Sequence, residues 1–370
     1  MNNDLIFKLW RADKNNINLI IDLLTFIQKN SRWDIFENII TELATPIKEK
    51  PEVLVKIIEI QICQNKYEQA NINALLLSDI TNEHPLSTHY LILIAYLQGD
   101  LVKVISFSEH EPLLLESKLI IARSLYIDNR LEHAVELITS ENVSTSAEAL
   151  GLLSMLYFDL ADLEKAALNF DKALNIKTNQ FDALLAKASY EVTMHNMDLA
   201  FSIINQCLEL QPKNGRVLSL LGQVKLYNVQ VVDAVDTLKL ATEYMPEHIG
   251  TWHLLGWAYM LTQQLELAEQ AFNAALILNP NFAESHGALA CVAINNNQIE
   301  QAKILTKKAL RLDKNSFSAL YANALILAVD GKKEEADRMV KSILSGKTNL
   351  THQSYLELIQ RAVTSHQNQQ

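Results

Sequence analysis

Residues able to do chemistry are present in this chain, but their spacing gives them little to do together. Ten histidines are scattered along 370 residues. His84 and His89 lie five apart, as do His248 and His253; neither pair has the i, i+4 spacing of a zinc-binding helix of the H-E-x-x-H kind. The sequence holds no H-E-x-x-H, no G-x-S-x-G and no glycine loop of the phosphate-cradling kind. Ser117 and Lys118 read as ordinary solvated residues. Cys63, Cys207 and Cys291 are odd in number and far apart, which predicts packed thiols in a reducing compartment rather than disulfides. These patterns lead us to expect no enzyme, no cofactor and no metal.

One set of charges is better placed. Lys187 and Glu191 are four apart, so on a helix they share a face and can pair. Lys225 stands 34 residues beyond Glu191. The expectation is a self-satisfied ionic cluster of these three residues.

The elements that must position such residues are set by that same step of 34. Ala166, Ala200, Ala234, Ala268, Ala302 and Ala336 are all 34 apart, and a fixed period of this size marks a repeat array. Small residues recur at a second place, Ser154, Ala188, Gly222, Gly256, Ala290 and Ala324, and at a third, Ala173, Cys207, Ala241, Ala275 and Ala309, then Ile343. Helices approach to about 8–10 Å only where the crossing side chains are small. Gly256 and Ala268 are therefore expected at such a crossing, with Trp252, Leu255, Tyr259 and Phe272 around it. Pro212, Pro246 and Pro280 stand at the ends of second helices, where Thr178 and Lys314 replace them in neighbouring copies.

Trp252 to Tyr259 reads W-x2-L-G-x2-Y, and Ala268, Phe272 and Pro280 follow at matching offsets. This resembles a tetratricopeptide repeat, clearest from Ile249 to Phe282, with copies in register from Ala147, Phe181, Gly215, Ala283 and Phe317. Weaker copies begin at Ile17, Pro51 and Pro85. The register slips between Pro85 and Ala147, which are 62 apart, and Leu115–Ser146 holds a shortened copy with Ala122 and Ala134 as its small residues. The resemblance implies an all-α, right-handed α-solenoid of about ten helix-turn-helix units. It would comprise degenerate repeats over 1–146, six regular ones over 147–350, a capping helix over 351–365 with Tyr355, Leu358, Ile359, Ala362 and Val363 on one face, and a disordered tail over 366–370.

In this family the first helices line a concave groove. The matching places here hold Met155 and Phe158, Leu185 and Val192, Leu226 and Tyr227, His253, Trp257, Met260 and Leu261, then Ile294, Tyr321 and Leu325. The resemblance thus implies a groove that is apolar and aromatic in its middle, suited to a peptide, an amphipathic helix or a partner subunit. Two specialisations are absent. Places that carry a Lys and Asn clamp in chaperone-tail binders read Gly151 and Met155, Leu185 and Ser189, Ser219 and Gln223, His253 and Trp257. The place of the asparagine ladder in sugar-transferring relatives reads Leu152, Ala186, Leu220, Leu254, Ala288 and Ala322.

Composition narrows the partners. The net charge is −11 with no basic run, which argues against nucleic acid. No run is long enough to insert in a membrane. Met1-Asn2-Asn3-Asp4 lacks the positive start of a secretory signal and Asp22 interrupts the apolar stretch near Ile20, so the cytoplasm is the expected place. The expected function is a non-catalytic scaffold or adaptor. The alternative is a structural component of an envelope, pilus or secretion apparatus that binds through its ends or convex face, self-association being one form of it.

Overall fold

The computed structural model describes residues 3–139 and 145–345. Among them are twenty-two α-helices, one 3-10 helix at Phe107–Glu109 and no strand, an all-α solenoid of helical hairpins. The expected capping helix and tail lie outside the described residues. The chain divides into two compact units, Met1–Thr145 and Ser146–Gln370.

In the first unit α1 (Asn3–Ala12) precedes four hairpins: α2 (Ile17–Lys29) with α3 (Trp33–Glu42), α5 (Pro51–Cys63) with α6 (Tyr67–Thr81), α7 (Pro85–Leu97) with α8 (Leu101–Ser106), and α9 (Leu115–Ile127) with α10 (Leu131–Ile138). A short helix, α4 (Thr45–Lys48), joins the first two. The register slip has a simple cause: α8 and α10 are only six and eight residues long. Ala122 and Ala134 are fully buried.

The second unit is regular. Its first helices are α11 (Ala147–Asp159), α13 (Phe181–Thr193), α15 (Gly215–Tyr227), α17 (Ile249–Leu261), α19 (Ala283–Asn295) and α21 (Phe317–Val329). Its second helices are α12 (Leu163–Ile176), α14 (Met197–Leu210), α16 (Val231–Tyr244), α18 (Leu265–Leu278), α20 (Ile299–Leu312) and α22 (Lys333–Ser345). Every first helix begins at the residue that opens its 34-residue copy.

Both units use the same turn. Ser31, Asn65, Gly99, Asn129, Ala161, His195, Val229, Gln263, Asn297 and Gly331 all have positive φ, one inside each hairpin. In each case the next residue's N–H reaches back around the turn; Asp162 N–H donates to the Tyr157 carbonyl at 2.9 Å and Ala161 N–H to the Phe158 carbonyl at 3.0 Å. This left-handed closure satisfies the last carbonyls of the first helix and points the chain into the second.

The second helices stop without needing proline. Asn279 before Pro280 is extended at φ −142°, ψ 100°, but Lys177 before Thr178 is extended at −144°, 102° as well. The small places behave as the spacing predicts. Ala268 is fully buried, and a Cβ on Gly256 would lie 2.6 Å from Cδ1 of the Phe272 ring. Leu255, Tyr259 and Phe272 are buried around that crossing with Trp252 packed at its edge.

Candidate functional site

Near the end of the second unit, side chains from four helices line an open-mouthed cavity of about 420 Å³. His253 and Trp257 enter from α17, Glu284 from α19 and Phe317, Ser318 and Tyr321 from α21. Val340, Ile343 and Leu344 complete it from α22. Most of this wall is carbon.

Its polar groups are largely committed to the fold. Each oxygen of Glu284 accepts a backbone N–H at the start of α21, from Phe317 at 2.8 Å and Ser318 at 3.0 Å. The carboxylate thus occupies the positive end of a helix that would otherwise expose unpaired donors. Trp257 Nε1–H donates to His253 Nε2 at 3.0 Å, so the neutral imidazole carries its proton on Nδ1, which lies 3.2 Å from Ser285 Oγ. Burial among Trp257, Phe272 and Phe282 pushes the His253 pKa down to about 4, partly opposed by Glu284. At neutral pH the site therefore presents an uncharged imidazole, an indole and a phenol, suited to an apolar guest that brings few polar groups.

Room for this arrangement comes from Gly287 on α19. A Cβ there would lie 2.6 Å from the Ser318 carbonyl carbon and 2.8 Å from Ala319 Cα, and would also collide with Ala319 N. These are backbone atoms of α21, so glycine is what lets α21 come close enough to carry Phe317 and Tyr321 over α17.

The residues expected to line the groove separate into several groups. His253, Trp257 and Tyr321 meet in the cavity. Leu226 and Met260 pack with Trp257 in one half-buried layer, and Met260, Ile294 and Leu325 with Trp257 in the next. Leu261 is 61% exposed at the end of α17. Phe158 lies 6.0 Å from the Arg216 guanidinium, which makes a bidentate pair with Asp159 at 2.7 and 2.9 Å. That pair ties the first hairpin of the unit to the third. Tyr227 stacks on His195. Met155, Leu185 and Val192 depart from expectation: they are buried, on α11 and α13, which pack directly together. They serve as core.

Sequence reasoning did not mark Phe317, Glu284, Val340 or Leu344. Ile343 did carry a signal, since it places a large side chain where five earlier copies have a small one. Gly287 was not singled out, because its place is small in only half the copies: Gly151 and Ser219 share it with Leu185, His253 and Tyr321.

The expected ionic cluster is also corrected. Lys187 pairs with Asp171 at 3.4 Å and lies over the Phe170 ring at 5.4 Å. Both partners are on α12, so Lys187 turns to the preceding helix and not along its own. Glu191 is buried and accepts from Asn196 Nδ2 at 2.7 Å, and Lys225 donates to Thr237 Oγ1 at 2.8 Å. Each charge finds a separate local partner.

Among the described residues no group of histidine, cysteine and carboxylate side chains is arranged to hold a metal. None of the described helices is long and apolar enough to cross a membrane.

Comparison with known proteins gives a consistent result. Family models described as tetratricopeptide repeat match residues 250–282, and also 147–180 and 283–316. A BBSome complex member from Bos taurus, BBS4, is 24% identical over 212 residues, 57% of this chain and 41% of that protein. A CTR9 homolog from Arabidopsis thaliana is 26% identical over 153 residues, 41% of this chain and 12% of that protein. The chain therefore spans less than half the length of either relative. Among solved structures, the APC/C hetero-tetramer Cut9–Hcn1 has a chain that superposes with a TM-score of 0.57 at 15% identity, covering 77% of this chain and 57% of its own.

Proposed function

This chain is a tetratricopeptide repeat protein, and we propose that it is a non-catalytic scaffold which seats an apolar side chain of a partner peptide, amphipathic helix or subunit in the cavity beneath Trp257 and Tyr321. The observation that carries this reading is the convergence of His253, Trp257 and Tyr321, two hairpins apart in sequence, on one carbon-lined cavity of about 420 Å³. A volume of that size falls within the range of about 300–1,000 Å³ typical of small-ligand sites. Aromatic side chains around a desolvated pocket are the usual anchors of protein recognition. The match to a protein described as a member of a complex supports a role in an assembly. Cytoplasmic placement is part of the proposal and rests on three cysteines that are free in the structure.

The test is a Trp257→Ala, Tyr321→Ala double substitution, used to capture partners beside the wild type from the native cell. Loss of a wild-type partner with helicity unchanged supports the cavity. Retention of every partner rejects it and points to the ends or the opposite faces of the helices.

A further inference from the structure

A second cleft lies between α20 and α21 and shares no residue with the cavity above. Its volume is about 310 Å³. One face of α20 supplies Lys303, Thr306, Lys307, Leu310 and Arg311, and α21 supplies Asn323 and Ile326. Lys303, Lys307 and Arg311 are spaced i, i+4, i+8, so three cations stand in one row, where like charges repel. Lys303 is neutralised by Glu300 at 3.3 Å and Asp330 at 3.4 Å. Lys307 and Arg311 are exposed and have no counterion among the described residues. Such a row is out of character for a chain of net charge −11. None of the other five hairpins of this unit has more than one cation at these three places, Lys239 and Lys341 being the single instances.

Thr306, in the wall of the same cleft, is unusual too. Its place in the repeat is filled by Phe170, Ile204, Leu238, Phe272 and Val340 in the other hairpins. Here a smaller polar side chain stands instead. It is 4% exposed, and its hydroxyl has no hydrogen-bond partner. A buried polar group left unpaired is destabilising, and the missing bulk leaves room beside the two unpaired cations. A core place has thus been exchanged for a buried, unpaired hydroxyl in the wall of a basic cleft.

The geometry points to a docking site for an acidic peptide segment of a partner protein, with side-chain carboxylates on Lys307 and Arg311 and Thr306 Oγ turned to hydrogen-bond one of them. The negative charge of the rest of the chain opposes a long polyanion such as nucleic acid and leaves a short carboxylate-bearing segment as the fitting guest.

The probe is a fluorescein-labelled hexaglutamate peptide, compared with hexaglutamine, titrated against the full chain at low salt. The wild type is expected to bind the acidic peptide selectively, and added salt to weaken it. Lys307→Glu with Arg311→Glu changes two exposed side chains and is expected to lower affinity at least about tenfold with unchanged circular dichroism. Thr306→Leu refills the cleft with the residue found at Leu238 and is expected to lower peptide affinity without lowering stability. The Trp257, Tyr321 double variant is expected to bind the peptide normally, which separates this site from the proposed apolar one. No preference for glutamate over glutamine, or affinity within twofold of wild type in the double reversal, overturns the inference. So does tight binding of single-stranded RNA or anionic vesicles by a chain that ignores the peptide.

Discussion

Adding one methyl group at Gly287 is expected to open the cavity from behind. The new Cβ would sit 2.6 Å from the Ser318 carbonyl carbon and 2.8 Å from Ala319 Cα, where ordinary contact needs about 3.5 Å or more. Neither obstacle is a side chain that can swing aside, so α21 must withdraw from α19 by roughly 1 Å. Overpacking of this kind costs about 3 kcal/mol at its upper end. The retreat also stretches the two bonds from Phe317 and Ser318 to Glu284, for about another 1 kcal/mol. Alanine's better helix propensity returns about 1 kcal/mol. The net expectation for Gly287→Ala is a loss of about 3 kcal/mol, read by urea unfolding with far-UV circular dichroism. Gly250→Ala is the control: its Cβ meets only the edge of the His248 ring, at 3.1 Å, and the variant is expected to be neutral or more stable by up to about 1 kcal/mol. Equal stability of Gly287→Ala and wild type would refute the reasoning, because it would mean that α19 and α21 do not approach as described.

Val229 holds a left-handed φ of 60° while 51% exposed, so Val229→Gly is expected to stabilise the protein by about 1 kcal/mol in the same assay. His253 has a folded pKa of about 4 against 6.5 when unfolded, so the unfolded chain binds its proton first on acidification. The stability it contributes is present above pH 6.5 and is lost as the pH falls towards 4, by up to roughly 3 kcal/mol; His253→Phe should flatten that part of the pH–stability curve, and an unchanged acid slope contradicts the burial. Burial pushes the Cys207 and Cys291 thiols up to about 12, whereas Cys63 is exposed. A thiol reagent should therefore label one cysteine in the native chain and three after denaturation, with label on Cys207 before unfolding being the adverse result.

The fold was legible because the period fixes where backbones cross. Gly222, Gly256 and Ala268 had to be small whatever surrounded them, and the helix starts followed. The turn residues were not legible, since Ala161, His195, Val229 and Gln263 share a left-handed backbone but no side-chain chemistry. Groove membership was readable only in part. A repeat place gives the direction in which a side chain leaves its helix; how close the next helix comes decides whether it meets solvent. That is why Trp257 and Tyr321 reached a cavity while Leu185 and Val192 were covered. Lys187 shows the same limit for charges: four-residue spacing permits a pair with Glu191, but Asp171 and the Phe170 ring on the neighbouring helix offer a better environment.

The central claim is that a partner is held where α17 and α21 converge. Amide hydrogen exchange of the chain with and without its captured partner tests it most directly. Added protection over residues 253–261 and 317–325 is the predicted footprint. Protection confined to α18 and α20, with those two stretches exchanging as in the free protein, would contradict it.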